Sequence, residues 1–376
     1  MPAVQAVGNP EQSRKFDRGG GPAMPSAVSK GTWLKPECVS GLISIIIPTY
    51  NRASLIAIAL DSVLAQTYRP IEIIVVDDGS ADNTQEVVSE WAIETDLDLA
   101  VRYFHQANQG GCAARNRGLR ESRGEFINFL DSDDRLLPVA LQRKVDCLRS
   151  SPAPYCYDRG KRVNGEGKPL GHHGRPWSAY GGQFFLVYHF DTAGPLIRRE
   201  LCQKIGPWDE ALRGCQEEEY FARLKLLGGR GTFLDEVGHV VVEHLANRVV
   251  GSAGHRESFL PAREKMLRSI QLAGPAFAYE AEFLTNFLRL NYAQNATQAW
   301  RKGDHSLTVV NLQKARGYGY RRWHVNWFLV AARLLGTRLC APLYFSLRER
   351  LHDAWRRLAN KPDPDPVRKM YAIIGK

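Results

Sequence analysis

The chain has 376 residues, of which 44% are hydrophobic and 24% charged, and its formal net charge is +10. This composition is typical of a globular protein and excludes both a disordered chain and a channel-like membrane protein. The length predicts two folded units, since single domains usually run to roughly 100–200 residues. Because no stretch reaches the ~18 uncharged apolar residues of a spanning helix, we expect neither a cleaved signal nor a transmembrane segment.

The folded part is predicted to begin near Gly41, after a disordered leader over residues 1–40 that is rich in Gly, Pro, Ser and charge. From there, β-branched runs alternate with amphipathic stretches. The expected strands cover residues 43–47, 71–76, 100–104 and 125–130, and the expected helices cover 53–66, 83–94 and 112–122. This alternation predicts βαβ units and a parallel sheet covered by helices on both faces.

The pattern becomes less regular after residue 136. We expect helices over 138–148, 199–205 and 216–227, a strand near Tyr155, a long loop or hairpin over 159–183, a buried segment at 193–197, and strands at 232–234 and 237–242. The first unit is therefore predicted over residues 41–257. Residues 258–376 show long helix-period stretches, including a helical hairpin across Gly303 and Asp304, and predict a basic α-helical C-terminal region.

Much of the positive charge lies at the C-terminal end, where residues 321–376 hold twelve Lys and Arg against four Asp and Glu. Residues 323–359 mix aromatic, aliphatic and arginine side chains, so the region 323–376 either packs on its own domain or makes a peripheral membrane contact. No nucleic-acid-binding motif accompanies the charge, and no nucleic acid is expected. The seven scattered cysteines indicate a reducing compartment. We expect a cytoplasmic protein, located at the inner face of the cell membrane if the C-terminal region binds lipid.

Three of the predicted strands end in polar residues. These residues are Pro48, Thr49, Tyr50 and Asn51 after the first strand, Asp77 and Asp78 after the second, and Asp131, Ser132, Asp133 and Asp134 after the fourth. In an open parallel sheet these ends meet at one edge, where ligands bind. Because gathered carboxylates repel unless a cation offsets them, the pattern predicts Mn²⁺ or Mg²⁺ held by Asp131 and Asp133. Aspartates also cap helices and close turns, and for Asp134 we expect a helix cap.

A basic counterpart lies before and within the third predicted helix. Gly110 and Gly111 allow backbone N–H groups to approach a phosphate, and Arg115, one turn into the helix, could neutralise the same diphosphate.

The strings ISIIIPTYNR, SVLAQTYRPIEIIVVDDGSADNT and NQGGCAARNRGLRESRGEFINFLDSDD resemble the catalytic core of inverting glycosyltransferase family 2. The resemblance covers about residues 42–245. It implies a GT-A fold, that is, an α/β fold with a Rossmann-like mixed sheet, followed here by the C-terminal α-helical domain. It also implies that residues 48–51 line the nucleotide pocket, that Asp78 accepts a hydrogen bond from the base ring, and that Asp77 supports the loop. We expect Ser132 to be a spacer between the aspartates that faces the nucleotide. Arg115 would stand near the diphosphate, and Asp131 and Asp133 would bind the metal.

The resemblance also suggests a general base, which in this family is an aspartate in a Glu-Asp pair at the start of a helix ending in Arg-Leu. Aligning Arg223 and Leu224 with that ending places Gln216-Glu217 at the pair, which is a departure from the pattern. Glu217 is the predicted base, with Glu218 and Glu219 as alternatives if the alignment slips. Alternatively, these glutamates are not catalytic, and their negative charge in the first turn of the helix only interacts favourably with the helix dipole.

Two further residues match the family loosely. Trp208, in IGPWDEAL, stands where the family usually has Phe on the acceptor side, so its indole either stacks on a sugar or belongs to the core. His244, in EHLAN, resembles the family's HxxxN-like ending with one residue fewer, and either reaches the metal or diphosphate or is structural.

Together these features predict a metal-dependent, hexosyltransferase-type enzyme that inverts configuration in a single in-line displacement. Its donor would be a nucleotide-diphosphate sugar, with Asp78 favouring a UDP-sugar, and its acceptor a glycan or lipid-linked glycan in surface polysaccharide synthesis. A nucleotidyltransferase is one alternative, although it would need a Gly-rich basic loop where this chain has PTYNR. A non-catalytic nucleotide-sugar-binding or scaffold protein is the other, because the Gln216-Glu217 pair departs from the family pattern.

Overall fold

The computed structural model describes residues 33–94, 99–176, 190–243 and 253–320. The strands are β1 (Val39–Thr49), β2 (Ile71–Asp77), β3 (Ala100–His105), β4 (Gly124–Phe129), β5 (Arg135–Leu136), β6 (Tyr155–Asn164), β7 (Pro169–His173), β8 (Pro195–Arg198) and β9 (Thr232–Glu243). The helices are α1 (Ile56–Leu64), α2 (Thr84–Glu94), α3 (Gly111–Glu121), α4 (Ala140–Ser150), α5 (Arg199–Ile205), α6 (Gln216–Gly228), α7 (Ala253–Ala273), α8 (Ala278–Arg301) and α9 (His305–Gly317).

These strands form one mixed sheet in the order β3-β2-β1-β4-β8-β6-β9-β5, and β7 pairs with β6. The half made of β3, β2, β1 and β4 is parallel, as the βαβ pattern predicts. The other half is mixed because β8 runs antiparallel to both β4 and β6, whereas β6 and β9 are parallel. The sheet is therefore not wholly parallel, in agreement with a mixed GT-A sheet.

The β-branched run of β1 is buried on both faces of the sheet. Ile43, Ile45 and Ile47 contribute to the core beneath α1 and α4, whereas Ile46 faces the opposite core, against α3 and α5. A β-carbon at Gly118 of α3 would lie only 2.3 Å from Cγ2 of Ile46, so glycine allows this helix to pack closely on the strand. This close packing fixes the position of α3 relative to the carboxyl end of β1.

Two stretches differ from the sequence-based expectation in extent. The region predicted as a loop or hairpin is a hairpin in its described part, where Lys161 of β6 pairs with His172 of β7. The two strands predicted over residues 232–234 and 237–242 are a single strand, β9. It pairs in parallel with β6, and the register shifts near Asp158 and Arg159. Irregular pairing of this kind interrupts the alternation that sequence patterns detect.

The C-terminal helices pack on the rest of the protein through α6. Ala222 of α6 joins a core with Met266 and Ile270 of α7 and with side chains of α8. The expected helical hairpin is present as α8 and α9, with the Asp304 carboxylate accepting from the backbone N–H of Leu307 at 2.9 Å. α7 begins at Ala253 and so crosses the predicted boundary between residues 257 and 258. No helix in the described ranges combines the length and apolar character needed to cross a bilayer.

Candidate active site

The three polar strand ends meet at one edge of the sheet. Thr49 at the end of β1 is in register with Asp77 at the end of β2, and the backbone N–H of Asp78 donates to the carbonyl of Thr49 at 2.9 Å. On the other side of β1, the N–H of Leu130, next to the end of β4, donates to the carbonyl of Ile46 at 3.0 Å. The loops that follow these strands therefore border a common space.

The loop after β1 is joined to the loop after β2 through Asn51. The backbone N–H of Asn51 donates to Ser80 Oγ, and the side-chain oxygen of Asn51 accepts from the N–H of Ala81, both at 2.8 Å. Asn51 has a left-handed backbone (φ 51°), a conformation that asparagine tolerates better than most residues. Tyr50 is 48% exposed beside it. This arrangement holds residues 48–51 at the rim.

Asp77 is buried and stabilises its own loop. Its carboxylate accepts from the backbone N–H of Ser80 at 2.8 Å and from the hydroxyl of Tyr103 on β3. Burial, together with the hydrogen bond to Asp77, raises the pKa of Tyr103, so the hydroxyl stays protonated and donates. These contacts hold the loop after β2 in place.

Asp78 holds the segment that leads into α3. One carboxylate oxygen accepts from Nε2 of Gln106 at 2.8 Å and from the N–H of Gln109 at 3.0 Å, and the other accepts from the N–H of Gly110 at 2.6 Å. A carboxylate offers about four acceptor positions, so these contacts leave room for one more donor. Asp78 therefore shapes the pocket and still has capacity to accept from a ligand.

Arg115 lies at the centre of the candidate site. Its side chain is buried on α3, with Nη2 donating to Asp131 Oδ1 at 2.7 Å and Nη1 donating to Gln216 Oε1 at 3.1 Å. Nη2 also lies 3.7 Å from Glu217 Oε1. Burial alone would lower the pKa of Arg115, but the charges of Asp131 and Glu217 raise it, so the guanidinium is permanently charged. One side chain thus connects the β4 end of the site to the start of α6.

Trp208 lies beneath this arginine and is not accessible to a sugar in this conformation. The indole is 1% exposed, stacks on the ring of Tyr220 with centroids 4.1 Å apart, and lies 4.8 Å from the guanidinium carbon of Arg115. A cation above an indole face is a favourable contact. The structure therefore supports the core alternative for Trp208, which fixes Arg115 instead of facing an acceptor.

The acidic turn after β4 places its three aspartates in different surroundings. Asp131 and Asp133 are partly exposed, with side-chain exposures of 30% and 23%, and contact Arg115 and Arg52 respectively. Asp134 is buried and accepts from the backbone N–H of Val242 at 3.1 Å. The expectation that Asp134 caps a helix is wrong, because α4 begins only at Ala140 and the partner of Asp134 is on β9.

The charge on this turn is suited to a cation. Burial raises the pKa of Asp134, and the nearby charges of Asp131 and Asp133 raise it further. Carboxylate oxygens are the donors that Mg²⁺ and Mn²⁺ prefer. In the described ranges, no three His, Cys, Asp or Glu side chains surround a common point. Asp131 and Asp133 are therefore the two residues of this turn that could hold such an ion, with the remaining positions left to water and phosphate. Ser132 between them is buried, and His244 lies outside the described residues.

The three consecutive glutamates of α6 point in three directions. Glu219 is buried and pairs with Arg223, at 2.8 Å from Nε and 2.7 Å from Nη2. Glu218 pairs with Arg263 of α7 at 2.6 Å. Glu217 remains 27% exposed and faces Arg115. Burial raises the pKa of Glu217, an effect that the charge of Arg115 partly offsets. Of the three carboxylates, Glu217 is therefore the one that contacts the site.

Sequence reasoning missed one basic residue at this edge. Arg52 directly follows the loop 48–51 and lies 3.8 Å from Asp133, so a basic residue after that loop was the available signal. The hydroxyl of Thr49 and Nε of Arg115 are buried without a hydrogen-bond partner in the described structure. Such buried polar atoms usually bind a ligand or water, which is consistent with a polar ligand at this edge.

Comparison with known proteins agrees with this picture. Residues 44–206 match the sequence model named Glycosyl transferase family 2. An uncharacterised glycosyltransferase of Rickettsia felis is 36% identical over 126 residues, which are 34% of this chain and 20% of the relative. GlyG of Streptococcus pneumoniae serotype 4 is 43% identical over 97 residues, 26% of this chain and 31% of GlyG. The chain thus spans about an eighth to a third of the length of the curated relatives it matches.

A likeness to solved structures extends further along the chain. The crystal structure of S. aureus TarS 1–349 in complex with UDP-GlcNAc aligns with a TM-score of 0.57 and 20% identity, covering 82% of this chain and 91% of that one. The same protein in complex with UDP aligns with a TM-score of 0.56. The fold, with its polar edge at the carboxyl ends of β1, β2 and β4, is that of the GT-A glycosyltransferases. Residues 44–206, which contain this edge, are similar to glycosyltransferase family 2.

Proposed function

We propose that this protein is an inverting glycosyltransferase that moves a sugar from a nucleotide-diphosphate sugar to a hydroxyl of its acceptor. The observation that carries this proposal is the position of Arg115, which contacts Asp131 and Gln216 and lies 3.7 Å from Glu217. Arg115 thus places a fixed positive charge between Asp131, on the donor side, and Glu217. This arrangement suits a reaction in which a diphosphate departs while an acceptor hydroxyl loses its proton to a carboxylate.

The donor would occupy the edge formed by the loops after β1, β2 and β4. The remaining acceptor capacity of Asp78 suits an N–H group of a nucleotide base, and a uridine diphosphate sugar is the donor we favour. The UDP-GlcNAc complex of TarS supports this choice. Arg115 would stabilise the diphosphate, and Asp131 and Asp133 would hold Mn²⁺ or Mg²⁺. When bound, such an ion supplies positive charge that stabilises the leaving group.

Glu217 would act as the general base. Its carboxylate would take the proton of the acceptor hydroxyl as that oxygen forms a bond to the anomeric carbon and the bond from that carbon to the diphosphate oxygen breaks. Attack from the face opposite the leaving group inverts the configuration. The raised pKa of Glu217 suits a base that must bind a proton during the reaction. No covalent intermediate with the protein is required.

The acceptor we propose is a glycan or lipid-linked glycan used in surface polysaccharide synthesis, with the enzyme at the cytoplasmic face of the membrane. The twelve basic residues between positions 321 and 376 support this idea, although that region lies outside the described residues. Flotation with vesicles tests it. The full chain should bind vesicles containing phosphatidylglycerol better than neutral ones, and removal of residues 323–376 should abolish the difference; equal binding by both forms would contradict the membrane contact.

A donor assay tests the proposed chemistry. Purified protein is incubated with UDP-, GDP-, CDP- and dTDP-sugars and Mn²⁺, and release of nucleoside diphosphate is measured for wild type, Asp131→Ala and Glu217→Gln. We expect turnover of one donor class by wild type and strong loss in both variants. Release of pyrophosphate from a nucleoside triphosphate would indicate a nucleotidyltransferase instead. Absence of both turnover and binding for every donor would indicate a non-catalytic protein.

A further inference from the structure

A second arginine, Arg213, lies beside the glycine pair that precedes α3. Its Nη1 donates to the carbonyl of Gln109 at 3.4 Å and would lie 3.0 Å from a β-carbon placed on Gly110. On the neighbouring glycine, a β-carbon at Gly111 would lie 3.2 Å from Nη1 of Arg115. The two arginines therefore flank the glycine pair, each occupying space that a larger residue would fill.

The charge of Arg213 is not balanced by the protein around it. In the part of the chain that the structure describes, no carboxylate oxygen lies within 4.0 Å of its guanidinium, which donates instead to a backbone carbonyl. Nearby cations differ, since Arg115 pairs with Asp131 and Arg263 pairs with Glu218. An exposed cation held next to the positive N-terminus of a helix, and next to another arginine, favours an anion at that place.

The backbone of Arg213 is anchored while its side chain is exposed. Its N–H donates to Ser258 Oγ on α7 at 2.9 Å, and the flanking residues Leu212 and Cys215 are buried against Ala262 of that helix. The guanidinium itself is accessible at the rim. Its bond to Gln109 is long, so the guanidinium can exchange this carbonyl for a better acceptor without moving the chain.

We propose that Arg213 binds the diphosphate of the donor, on the side of Gly110 opposite Arg115. This inference rests on the proposed function and assigns to the segment before α6 a part in donor binding. Gly110 is also bonded through its N–H to Asp78, which places Arg213 close to the end of the pocket assigned to the nucleotide. Arg213 would donate charge-assisted hydrogen bonds to a phosphate oxygen beside Gly110, and the negative charge of the phosphate would neutralise the guanidinium. Sugar transfer leaves this charge on the departing nucleoside diphosphate, so the contact persists through the reaction.

The test compares a nucleoside diphosphate with its parent nucleoside, because only the former carries the anion. Binding of UDP and of uridine is measured with Mn²⁺ by calorimetry and by ligand-observed NMR for wild type, Arg213→Gln and Arg213→Lys. Arg213→Gln should weaken UDP binding roughly 10-fold or more and leave uridine binding unchanged, since a hydrogen bond to a charged group is lost. Arg213→Lys should retain part of the affinity. The matched control is Arg230→Gln, an exposed arginine after α6, which should bind UDP as wild type does.

The possible outcomes separate this inference from the proposed function. If UDP and uridine affinities fall together in Arg213→Gln, the arginine only holds the loop at Gln109 and the inference is overturned. Unchanged UDP affinity overturns it as well, while leaving the glycosyltransferase proposal intact. If wild type binds none of the nucleoside diphosphates of the four bases U, G, C and T, the proposed function is wrong. This inference, which rests on the proposed function, is then wrong as well. Thermal melting of each variant shows that the fold is retained.

Discussion

Nη2 of Arg115 lies 2.7 Å from Oδ1 of Asp131, which joins a helix and a strand end that are 16 residues apart in sequence. The same guanidinium reaches the first turn of α6, about 100 residues further along the chain. The donor-side and acceptor-side residues of the candidate site are thus held relative to one another by a buried cation. The first three predictions concern the two carboxylates nearest to it, Glu217 and Asp131.

Replacement of Glu217 by glutamine should abolish most of the turnover while donor binding persists. General-base catalysis contributes about 10²- to 10⁴-fold, so we expect a loss of kcat in that range with little change in the dissociation constant of the nucleoside diphosphate. Glu218→Gln and Glu219→Gln serve as controls, because their carboxylates pair with Arg263 and Arg223. They should lower the melting temperature more than the rate. If Glu217→Gln remains active and a folded Glu218 or Glu219 variant has lost turnover, the glutamate replaced in the inactive variant is the general base instead.

The pH profile should show the titration of Glu217 directly. Burial raises its pKa above the ordinary value of 4.5, so the acid limb of kcat/KM should lie above pH 4.5, with activity rising as the carboxylate loses its proton. The measurement is kcat/KM from pH 4 to 8 for wild type and Glu217→Asp. The pH midpoint of this limb should differ in Glu217→Asp, because the shorter side chain places the carboxylate in different surroundings. A limb common to both enzymes would assign the titration to another group.

Replacement of Asp131 by asparagine should weaken metal-dependent turnover by at least about 100-fold, since charge stabilisation by a bound cation is worth several kcal/mol. Removal of divalent ions with EDTA should have a similar effect on wild type, and Mn²⁺ should restore it. Asp146→Asn, on the exposed face of α4, is the control and should titrate with Mn²⁺ as wild type does. Full activity of wild type after EDTA treatment, with ion content checked by mass spectrometry, would contradict a metal-dependent mechanism.

These contacts indicate how far the sequence could predict the molecule. The run 43–47 and the helix Arg199–Ile205 were predictable, because β-branched continuity and helical periodicity are local signals. Asp134 was not, since its partner Val242 lies 108 residues away. Trp208 was ambiguous because an indole suits either a core or a sugar, and only the position of Arg115 distinguishes them.

Buried charge away from the site should make stability depend on pH. His239 lies between Asp158 and Asp191, with ring nitrogens 2.9 Å and 3.4 Å from their oxygens. Burial alone would lower its pKa, but the hydrogen bonds to both carboxylates raise it above 6.5. The proton is bound more tightly in the folded state, so the stabilisation is complete below pH 6.5 and is lost as pH rises through the raised pKa.

We therefore expect the melting temperature of wild type to fall as pH rises from 6.5 towards 9, and the melting temperature of His239→Gln to fall less steeply. The difference between the two proteins should be largest near pH 6, where the histidine is charged. His172→Gln, on exposed β7, should retain the slope of wild type. Parallel slopes for wild type and His239→Gln in differential scanning calorimetry would show that His239 does not carry the effect.

The pairing of Arg263 with Glu218 should connect the C-terminal helices to the site. The guanidinium carbon of Arg263 also lies 3.7 Å from the ring centroid of Phe259, so Arg263→Met should cost about 1–3 kcal/mol of unfolding free energy. Lys314→Met, which removes a more exposed pair with Glu264, should cost less than about 1 kcal/mol. Urea denaturation measures both values. Equal losses would show that the contact with α6 is no more important than a surface pair.

The three glutamates of α6 are identical in chemistry, and only helical phase distinguishes them. Each step along the helix turns the side chain by about 100°, so shifting the acidic run by one residue relative to the buried side chains of Tyr220 and Phe221 would exchange the carboxylate that faces Arg115 for one that pairs with another arginine. Composition and charge would be preserved, yet the geometry of the site would be lost. The spacing between Glu217 and the buried face of α6 is therefore under the same constraint as the residues it positions, and related chains should vary the sequence between them more freely than this spacing.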